Sequence, residues 1–314
     1  MKIKAASDYK LLSNSVVTIG TFDGVHIGHK KIINRLVNIA KQENLQAVVL
    51  TFFPHPRMVV QSDTKIKMLN TIDEKNMLLE QQGIDHLVIK KFTKDFSRLS
   101  AQEYVRKVLV ETLHVKHIII GYDHHFGRNR TANIHDLKAF GEIYDFKVTE
   151  ILAQEIDEVT ISSTKIRQAL NSGDVKTANT FLGYNFMISG TVVKGKGIGK
   201  TLNFPTANIR ISESYKLIPK HGVYVVKTRI LNTTVFGMMN IGINPTVDGL
   251  EQWNPLMKGE FPISAKVLKT SPGCIGKNFF SAILPNFFSI TDIKSINFTG
   301  LLFPILYILY GHFD

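Results

Sequence analysis

The stretch TFDGVHIGHKK, residues 21–31, decides how the first half of the chain is interpreted. It follows the apolar run SVVTIG at residues 15–20 and leads into residues 30–42, where apolar side chains recur at the spacing of one helix face. His26 and His29 are three positions apart, a spacing at which helical side chains share a face. The sequence therefore predicts a strand, a glycine-containing turn and two imidazoles at the start of a helix.

The same alternation continues to about residue 150. Further strands are predicted at residues 47–53, 87–89 and 117–120, and further helices at residues 73–82 and 100–113. Asp73 is the predicted N-cap of the former helix, and Ser100 with Glu103 fits a capping box. This pattern predicts an α/β fold with a doubly wound parallel sheet, whose ligands bind beyond the carboxyl ends of the strands.

The pattern of predicted secondary structure changes after about residue 183. Residues 188–193, 222–228 and 234–239 predict β-strands that are separated by turn residues, with no long helix between them. We therefore predict two domains, residues 1–183 and 184–314, the second being smaller, all-β and barrel-like.

The net charge of +12 at pH 7 permits nucleic acid, an anionic membrane or a polyphosphate as partner, or a basic surface without one partner. No run of five or six basic residues occurs, which argues against a nucleic-acid-binding tail. The chain also has no run of about 18 apolar residues, which argues against a membrane-spanning helix. Since the single cysteine, Cys274, cannot form an internal disulfide, we expect a cytoplasmic protein. From the missing basic and apolar runs, we expect no nucleic-acid or membrane partner.

The histidine pair lies where a helix N-terminus would present free backbone N–H groups and a partial positive charge to phosphate. His26 and His29 could both donate hydrogen bonds to one polyphosphate, and Gly28 would let a ligand approach the backbone. Capping histidines, surface histidines or half of a metal site have the same spacing, so the spacing alone does not choose between them.

Four motifs occur in order along the chain: GTFDGVHIGH at residues 20–29, TFFPHP at 51–56, GYDHHFG at 121–127 and ISSTKIR at 161–167. The HxGH element resembles the nucleotidylyltransferase superfamily. Together the motifs resemble the bacterial bifunctional riboflavin kinase/FAD synthetases, from about residue 14 to about residue 250. The resemblance implies an FMN adenylyltransferase that joins AMP from ATP to FMN and releases pyrophosphate.

The resemblance also implies roles for individual residues. His26, His29 and Arg167 would be catalytic, binding phosphates and stabilising charge as pyrophosphate leaves. Asp123 would order its loop and Phe126 would meet flavin or the core, although His124 replaces the family's usual phenylalanine. The residues implied to bind nucleotide or phosphate are Gly20, Phe22, Asp23, Gly28, Ser162, Ser163 and Thr164, and those implied to bind flavin are His55, Asp123 and Phe126.

Simpler structural interpretations stand beside these roles. Asp23 could be an ordinary turn residue, and His55 the end of a rigid loop between two prolines. Either Ser163 or Thr164 could cap a helix, with Arg167 as a solvated arginine on it.

The glycine-rich stretch GKGIGKT at residues 195–201 is neither a P-loop nor a dinucleotide fingerprint, because Lys194 replaces the first P-loop glycine and Phe204 with Pro205 follows at once. Together with PTAN at residues 205–208 it resembles the riboflavin kinase module. The resemblance implies that Gly195, Gly199, Lys200, Thr206 and Asn208 bind ATP and Mg²⁺, with Thr206 and Asn208 as the metal ligands.

This resemblance stops at about residue 252. The family continues to a glutamate that is the expected general base for the riboflavin 5′-hydroxyl, but neither Glu251 nor Glu260 has its context. The phenylalanine-rich residues 261–314 fit no part of the module and suggest an altered reading frame or terminus. We therefore expect a doubtful kinase and a barrel that lacks its last strands.

The expected ligands are ATP, Mg²⁺, riboflavin, FMN and FAD; the oligomeric state is not predicted. Three alternatives stay open on the sequence. The chain could be a catalytically decayed flavin- or nucleotide-binding regulatory protein, another HxGH-type nucleotidyltransferase, or a basic nucleic-acid-binding protein.

Overall fold

The computed structural model describes residues 2–5, 11–60, 66–152, 161–193, 207–230, 233–242, 263–267 and 286–291. The chain divides into two compact units. Unit 1 consists of residues 1–169, 180–184 and 213–218, and unit 2 of residues 170–179, 185–212 and 219–314. The units are therefore not separated by one cut in the chain, and the division into functional domains at residue 183 stays a prediction.

A six-stranded sheet forms the centre of unit 1. Its strands are β1 (Lys2–Ala5), β2 (Ser15–Ile19), β3 (Gln46–Phe53), β4 (His86–Lys91), β5 (Val115–Gly121) and β6 (Lys147–Ile151). They lie in the order β1-β4-β3-β2-β5-β6, and every neighbouring pair is parallel. The predicted doubly wound parallel sheet is confirmed. The strand order reverses at β2, with β3 on one side and β5 on the other, so the ligand site is expected at the carboxyl end of β2.

In the described part of the chain, five helices lie between these strands and two follow the last of them. They are α1 (Ile27–Glu43), α2 (Pro56–Val60), α3 (Ile72–Gln81), α4 (Ala101–Tyr104), α5 (Ile134–Tyr144), α6 (Ser163–Ser172) and α7 (Val175–Leu182). A π-helix, Val105–Val110, continues α4, and 3₁₀ turns lie at Phe96–Arg98 and Arg128–Arg130. None of the helices in the described part of the chain is long and apolar enough to cross a membrane.

The central strands are buried along most of their length, as parallel strands covered on both faces must be. The predicted apolar face of α1 is confirmed. Its residues Ile32, Ile33, Leu36 and Ala40 are buried, and α1 contacts the strands of the sheet. The capping box predicted before α4 is also present: Ser100 and the carboxylate of Glu103 bond each other's backbone N–H groups.

The prediction that Asp73 caps α3 is wrong. Thr71 is the N-cap: its hydroxyl accepts from the Glu74 N–H at 3.1 Å, and the Glu74 carboxylate accepts from the Thr71 N–H at 3.0 Å. Thr71 has the extended backbone of an N-cap, and a glutamate three residues later completes the capping box. Asp73 instead lies in the first turn, where its charge interacts favourably with the helix dipole.

Unit 2 contains a closed barrel. Its strands are β7 (Phe186–Val193), β8 (Ala207–Arg210), β9 (Gly222–Ile230), β10 (Thr233–Ile241), β11 (Ile263–Val267) and β12 (Asn286–Thr291). They close in the order β10-β11-β8-β7-β12-β9, and all neighbouring pairs are antiparallel. The predicted all-β, barrel-like fold is confirmed.

The prediction that the barrel lacks its last strands is wrong. β11 and β12 both come from the chain after residue 252, and β11 bridges β10 and β8 while β12 bridges β7 and β9. The two segments, ISAKV and NFFSIT, contain the β-branched and aromatic residues that favour strands. Backbone hydrogen bonding between strands does not depend on a family motif. These segments can therefore pair with the strands on both sides and close the sheet into a barrel without free edges.

Residues 213–218 belong to unit 1, although the chain on both sides of them belongs to unit 2. Met68 and Lys216 form a parallel bridge, in which the Met68 N–H donates to the Tyr215 carbonyl and the Leu217 N–H donates to the Met68 carbonyl, both at 2.7 Å. The Tyr215 hydroxyl accepts from the N–H of Ile72 at 3.4 Å. These bonds secure the loop that leads into α3.

A buried ion pair completes this attachment. Lys216 Nζ lies 2.5 Å from Glu74 Oε2, and both side chains are fully buried. Nζ also donates to the backbone carbonyl of Leu69 at 2.6 Å. Such a pair is stable only while both partners are present, because either charge alone would be enclosed without compensation.

Lys216→Met is expected to lower the free energy of unfolding of unit 1 by about 3–5 kcal/mol, because the Glu74 carboxylate loses its buried cationic partner. Urea unfolding followed by far-ultraviolet circular dichroism measures the loss. The double variant Glu74→Gln/Lys216→Met removes both charges and should be more stable than the single variant. Wild-type stability of Lys216→Met would contradict this account.

Candidate active site

The loops that follow β2, β3 and β5 meet at the carboxyl edge of the sheet of unit 1. Residues 20–26 follow β2, residues 54–56 follow β3 and residues 122–127 follow β5. Because β2 pairs with both β3 and β5, three of the four sequence motifs lie side by side. The fourth motif, at residues 161–167, joins them through its contacts with Asp23.

The Asp23 carboxylate links these segments. Asp23 is 1% exposed, and its two oxygens accept from the Leu69 N–H at 2.9 and 3.1 Å, while one also accepts from the Asn70 N–H at 3.4 Å. The Arg167 guanidinium donates to the same carboxylate. In addition, the Ser163 hydroxyl donates to the Asp23 backbone carbonyl at 2.8 Å. One residue thus holds the first motif, the loop before α3 and the start of α6 together.

Arg167 is held by protein groups on two sides. Besides its bond to Asp23, its Nε donates to the backbone carbonyl of Lys67 at 2.8 Å, and its side chain is 15% exposed. A guanidinium in a charge-assisted bond keeps a fixed orientation. These contacts do not fit the alternative of a solvated arginine. Phosphate binding by Arg167 and Asp23 stays a prediction.

The turn between β2 and α1 has an unusual backbone. Gly24 has φ of 88° and Val25 has φ of 37°. The left-handed region is open to glycine but costs a residue with a Cβ roughly 1–2 kcal/mol. At Gly24 a Cβ would also approach the Leu69 Cδ1 to 2.6 Å, and the Tyr184 hydroxyl donates to the Gly24 carbonyl at 2.6 Å. Contacts with distant residues therefore impose this conformation.

The two histidines stand at the start of α1, as predicted. His26 is the N-cap, and its Nδ1 accepts from the His29 N–H at 3.4 Å. The two rings stack with their centroids 3.6 Å apart. Because Nδ1 of the neutral His26 ring accepts a hydrogen bond, its proton is on Nε2, which can donate to a ligand. The catalytic role of the pair stays a prediction.

Both imidazoles are neutral near pH 7. Burial lowers the pKa of His26 to about 4, although the charge of Asp23 opposes this shift. Burial also lowers the pKa of His29 well below 6.5, and the neighbouring His26 and Lys75 lower it further. Within the described residues, the buried Nδ1 of His29 has no hydrogen-bond partner. The pair therefore offers hydrogen bonds to a ligand without carrying charge.

The other predicted residues of the first motif surround this pair. Gly20 donates its N–H to the Leu50 carbonyl at 3.1 Å, which continues the pairing of β2 with β3. Phe22 is buried, and its ring centroid lies 5.1 Å from that of His29. Gly28 is buried within the first turn of α1.

His55 follows β3 and belongs to the same charged cluster. It is 9% exposed, and its Nδ1 accepts from the Arg57 N–H at 3.2 Å. Burial lowers its pKa to about 4; the charge of Asp23 opposes this, while Arg167 and Lys75 add to it. Flavin binding by His55 stays a prediction.

The start of α6 differs from the prediction. Ser162, and not Ser163 or Thr164, provides the cap, since its hydroxyl accepts from the Lys165 N–H at 3.3 Å. The Ser163 hydroxyl is instead used on the Asp23 carbonyl, and Thr164 lies exposed in the first turn.

In the loop after β5, Phe126 packs in the hydrophobic core, which was one of its two predicted positions. It is 7% exposed and its ring centroid lies 5.9 Å from that of Tyr104. Asp123 is exposed, and its backbone carbonyl accepts from His125 Nδ1 at 2.9 Å. His124, which replaces the family's phenylalanine, has a buried Nε2 with no hydrogen-bond partner among the described residues.

Lys75 is a site residue that the motifs did not identify. It lies on α3, is 2% exposed, and donates from Nζ to the Thr21 carbonyl at 2.7 Å. Lys75 precedes the buried Leu78 and Leu79 by three and four residues, so it lies on the apolar face of its helix. The sequence pattern alone, a lysine on the apolar face of a helix, could have indicated a buried cation.

Most of the predicted kinase residues, Gly195, Gly199, Lys200 and Thr206, lie outside the described residues, as do Glu251 and Glu260. Asn208 lies in β8, where its backbone pairs with Val193 and Ser264. The predicted Mg²⁺ ligands therefore stay a prediction. No group of three or more His, Cys, Asp and Glu side chains within the described ranges could hold a metal ion.

Comparison with known proteins decides the family. Residues 8–165 match the FAD synthetase family model, and residues 182–258 match the riboflavin kinase model. A bifunctional riboflavin kinase/FMN adenylyltransferase from Listeria monocytogenes is 42% identical over 234 residues, which is 74% of each chain. This chain belongs to that bifunctional family. The riboflavin kinase match ends at residue 258, six residues beyond the point where the resemblance was predicted to stop.

Other members of the bifunctional riboflavin kinase/FMN adenylyltransferase family are similarly close. The Bacillus subtilis and Escherichia coli K12 proteins are each 36% identical, covering 74% and 76% of this chain and 73% and 75% of their own. A crystal structure described as a macrolide-efflux protein from Streptococcus pneumoniae has a TM-score of 0.75 and 26% identity, and the match covers 98% of this chain and 96% of that one. The match includes residues of both units.

Acid is expected to destabilise unit 1 through its buried histidines. His26 has a pKa of about 4 when folded and 6.5 when unfolded, so the unfolded chain binds its proton more tightly. The stability present above pH 6.5 is therefore lost as the pH falls towards 4, by about 2 kcal/mol at pH 5 for His26 alone.

Urea unfolding at pH 7 and pH 5 measures this loss. His26→Asn should show a smaller pH dependence than the wild type, whereas the control His135→Asn, at an exposed position of α5, should not differ from it. Equal pH dependence of the wild type and His26→Asn would refute this assignment.

Proposed function

We propose that unit 1 transfers AMP from ATP to FMN and that unit 2 phosphorylates riboflavin to FMN. The observation that carries the first activity is the stacked, neutral pair of His26 and His29 at the N-terminus of α1, at the carboxyl edge of the sheet. The FAD synthetase match over residues 8–165 supports the choice of FMN as acceptor.

In the proposed reaction, a phosphate oxygen of FMN attacks the α-phosphorus of ATP. The bond from that phosphorus to the bridging oxygen breaks, and pyrophosphate leaves with the electron pair. Such transfers depend on positioning and on the stabilisation of developing negative charge. The free N–H groups of the first turn of α1 and the Nε2–H of His26 donate to phosphate oxygens.

Asp23 positions the rest of the site through its hydrogen bonds. It holds the Arg167 guanidinium at one edge, and the remaining N–H groups of Arg167 are those proposed to bind phosphate. It also holds the start of α6, so that the N–H groups of a second helix face the same anion.

The kinase activity rests on the riboflavin kinase match over residues 182–258 and on the closed barrel. Thr206 and Asn208 would hold Mg²⁺ with oxygen ligands, and the ion would neutralise the phosphates of ATP. The chain lacks a glutamate in the context expected for the general base, so the kinase activity needs a test of its own. The single cysteine supports a place of action in the reducing cytoplasm.

A product assay on the purified chain with Mg²⁺ and ATP tests both activities. One reaction receives FMN and the other riboflavin, and chromatography separates FMN from FAD. FAD from FMN is expected, and FMN or FAD from riboflavin would establish the kinase. A chain that binds flavin but forms no FAD from either would contradict adenylyl transfer and support a regulatory binding protein.

His29→Ala is expected to lower kcat for FAD formation about 100-fold or more, because the transition state loses a donor placed in an enclosed site. The Kd for ATP should change only modestly, since the backbone N–H groups of α1 remain. His135→Ala, at an exposed position of α5, serves as the matched control. Unchanged turnover in His29→Ala would refute the role of His29 in stabilising the transition state.

A further inference from the structure

The buried ammonium of Lys75 has more N–H donors than there are acceptors bonded to it. It is 2% exposed, and its ammonium carries three N–H donors. In the described part of the chain, Nζ has one hydrogen-bond acceptor, the Thr21 carbonyl at 2.7 Å, and no carboxylate within 4.0 Å. Within that described part, two donors of this buried cation are therefore unused.

The enclosed charges around Lys75 do not cancel. Glu74 is paired with Lys216, and Asp23 is paired with Arg167. Burial lowers the pKa of Lys75, and the Asp23 charge opposes this shift from a distance. The Asp23 oxygens, however, are already used by two backbone N–H groups and Arg167. Lys75 is thus the cation of this group that has no counter-ion among the described residues. Enclosing such a charge is costly, so an anion that binds beside Lys75 and accepts its hydrogen bonds would relieve that cost.

The position of Lys75 shows where that ligand would lie. Its acceptor, Thr21, is two residues before Asp23 in the turn that leads to the histidine pair. Its charge acts on His29 and on His55, lowering the pKa of both. The ammonium therefore shares its surroundings with the imidazoles proposed to bind phosphate.

We propose that Lys75 is a further catalytic residue, whose ammonium binds the phosphate chain of the nucleotide beside the His26–His29 pair. This inference rests on the adenylyl transfer proposed above. Phosphate oxygens accept the two unused N–H donors, and the anion neutralises the buried cation. As the bond to the leaving group breaks, negative charge grows on pyrophosphate, and Lys75 stabilises it while keeping its own proton.

Three variants test the role. Lys75→Met removes the charge and all donors, and Lys75→Gln removes the charge but can still donate to Thr21. Lys41→Met, at an exposed position of α1, is the control for the loss of one positive charge. Isothermal titration calorimetry with inorganic pyrophosphate, flavin fluorescence with FMN and steady-state kinetics are measured on each full-length protein, together with its unfolding midpoint.

Both Lys75 variants are expected to bind pyrophosphate about 10- to 100-fold more weakly and to lose a similar factor in kcat/KM for ATP. FMN binding should stay within about twofold, and Lys41→Met should match the wild type. A folded Lys75→Gln that binds pyrophosphate with wild-type affinity would overturn the proposal, because Lys75 would then only brace the Thr21 carbonyl.

A measurement on the wild type covers the case in which the neutral variants do not fold. The ¹⁵Nζ resonance of Lys75, assigned by its absence in Lys75→Arg, should shift when pyrophosphate saturates the protein. No shift at saturation would also overturn the proposal.

The design separates this inference from the proposed function. Pyrophosphate binding needs no turnover, so Lys75-dependent binding by a protein that makes no FAD would refute adenylyl transfer and support the Lys75 site. FAD formation that is unaffected in both Lys75 variants would refute only the inference.

Discussion

The hydrogen-bonded Asp23 carboxylate is the interaction on which the candidate site depends. It is enclosed, and it joins a turn after β2 to the loop before α3 and to Arg167 on α6. A buried carboxylate is stable only when its oxygens are satisfied, so each partner that Asp23 gains also fixes a segment in place. The strained Val25 and the stacked histidines follow directly in the chain. Their geometry is therefore a consequence of contacts made elsewhere in unit 1.

The site combines charged and neutral groups for different purposes. Asp23 with Arg167 and Glu74 with Lys216 form closed pairs that build the framework. The imidazoles are kept neutral by burial, so they can donate hydrogen bonds without repelling a cation nearby. An anionic ligand entering this site meets donors that are already oriented and need little reorganisation.

The features that could be predicted from sequence are those encoded locally. The alternation of strands and helices gave the parallel sheet, and the HxGH spacing placed His26 and His29 at the start of α1. The pairs that complete the site could not be predicted, because Asp23 and Arg167 are 144 residues apart and Glu74 and Lys216 are 142 apart. β11 and β12 were missed for another reason: they match no motif of the family, and only their backbone pairing identifies them.

The return of residues 213–218 to unit 1 has a consequence for how this gene can evolve. A single break at about residue 183, the predicted domain boundary, would separate the first half of the chain from the lysine that neutralises Glu74 and from the partner of the bridge at Met68. Each half of a divided gene would then carry a defect that the undivided gene does not have. Selection against gene fission would follow from the path of the chain alone, even if the two reactions gained nothing from being linked.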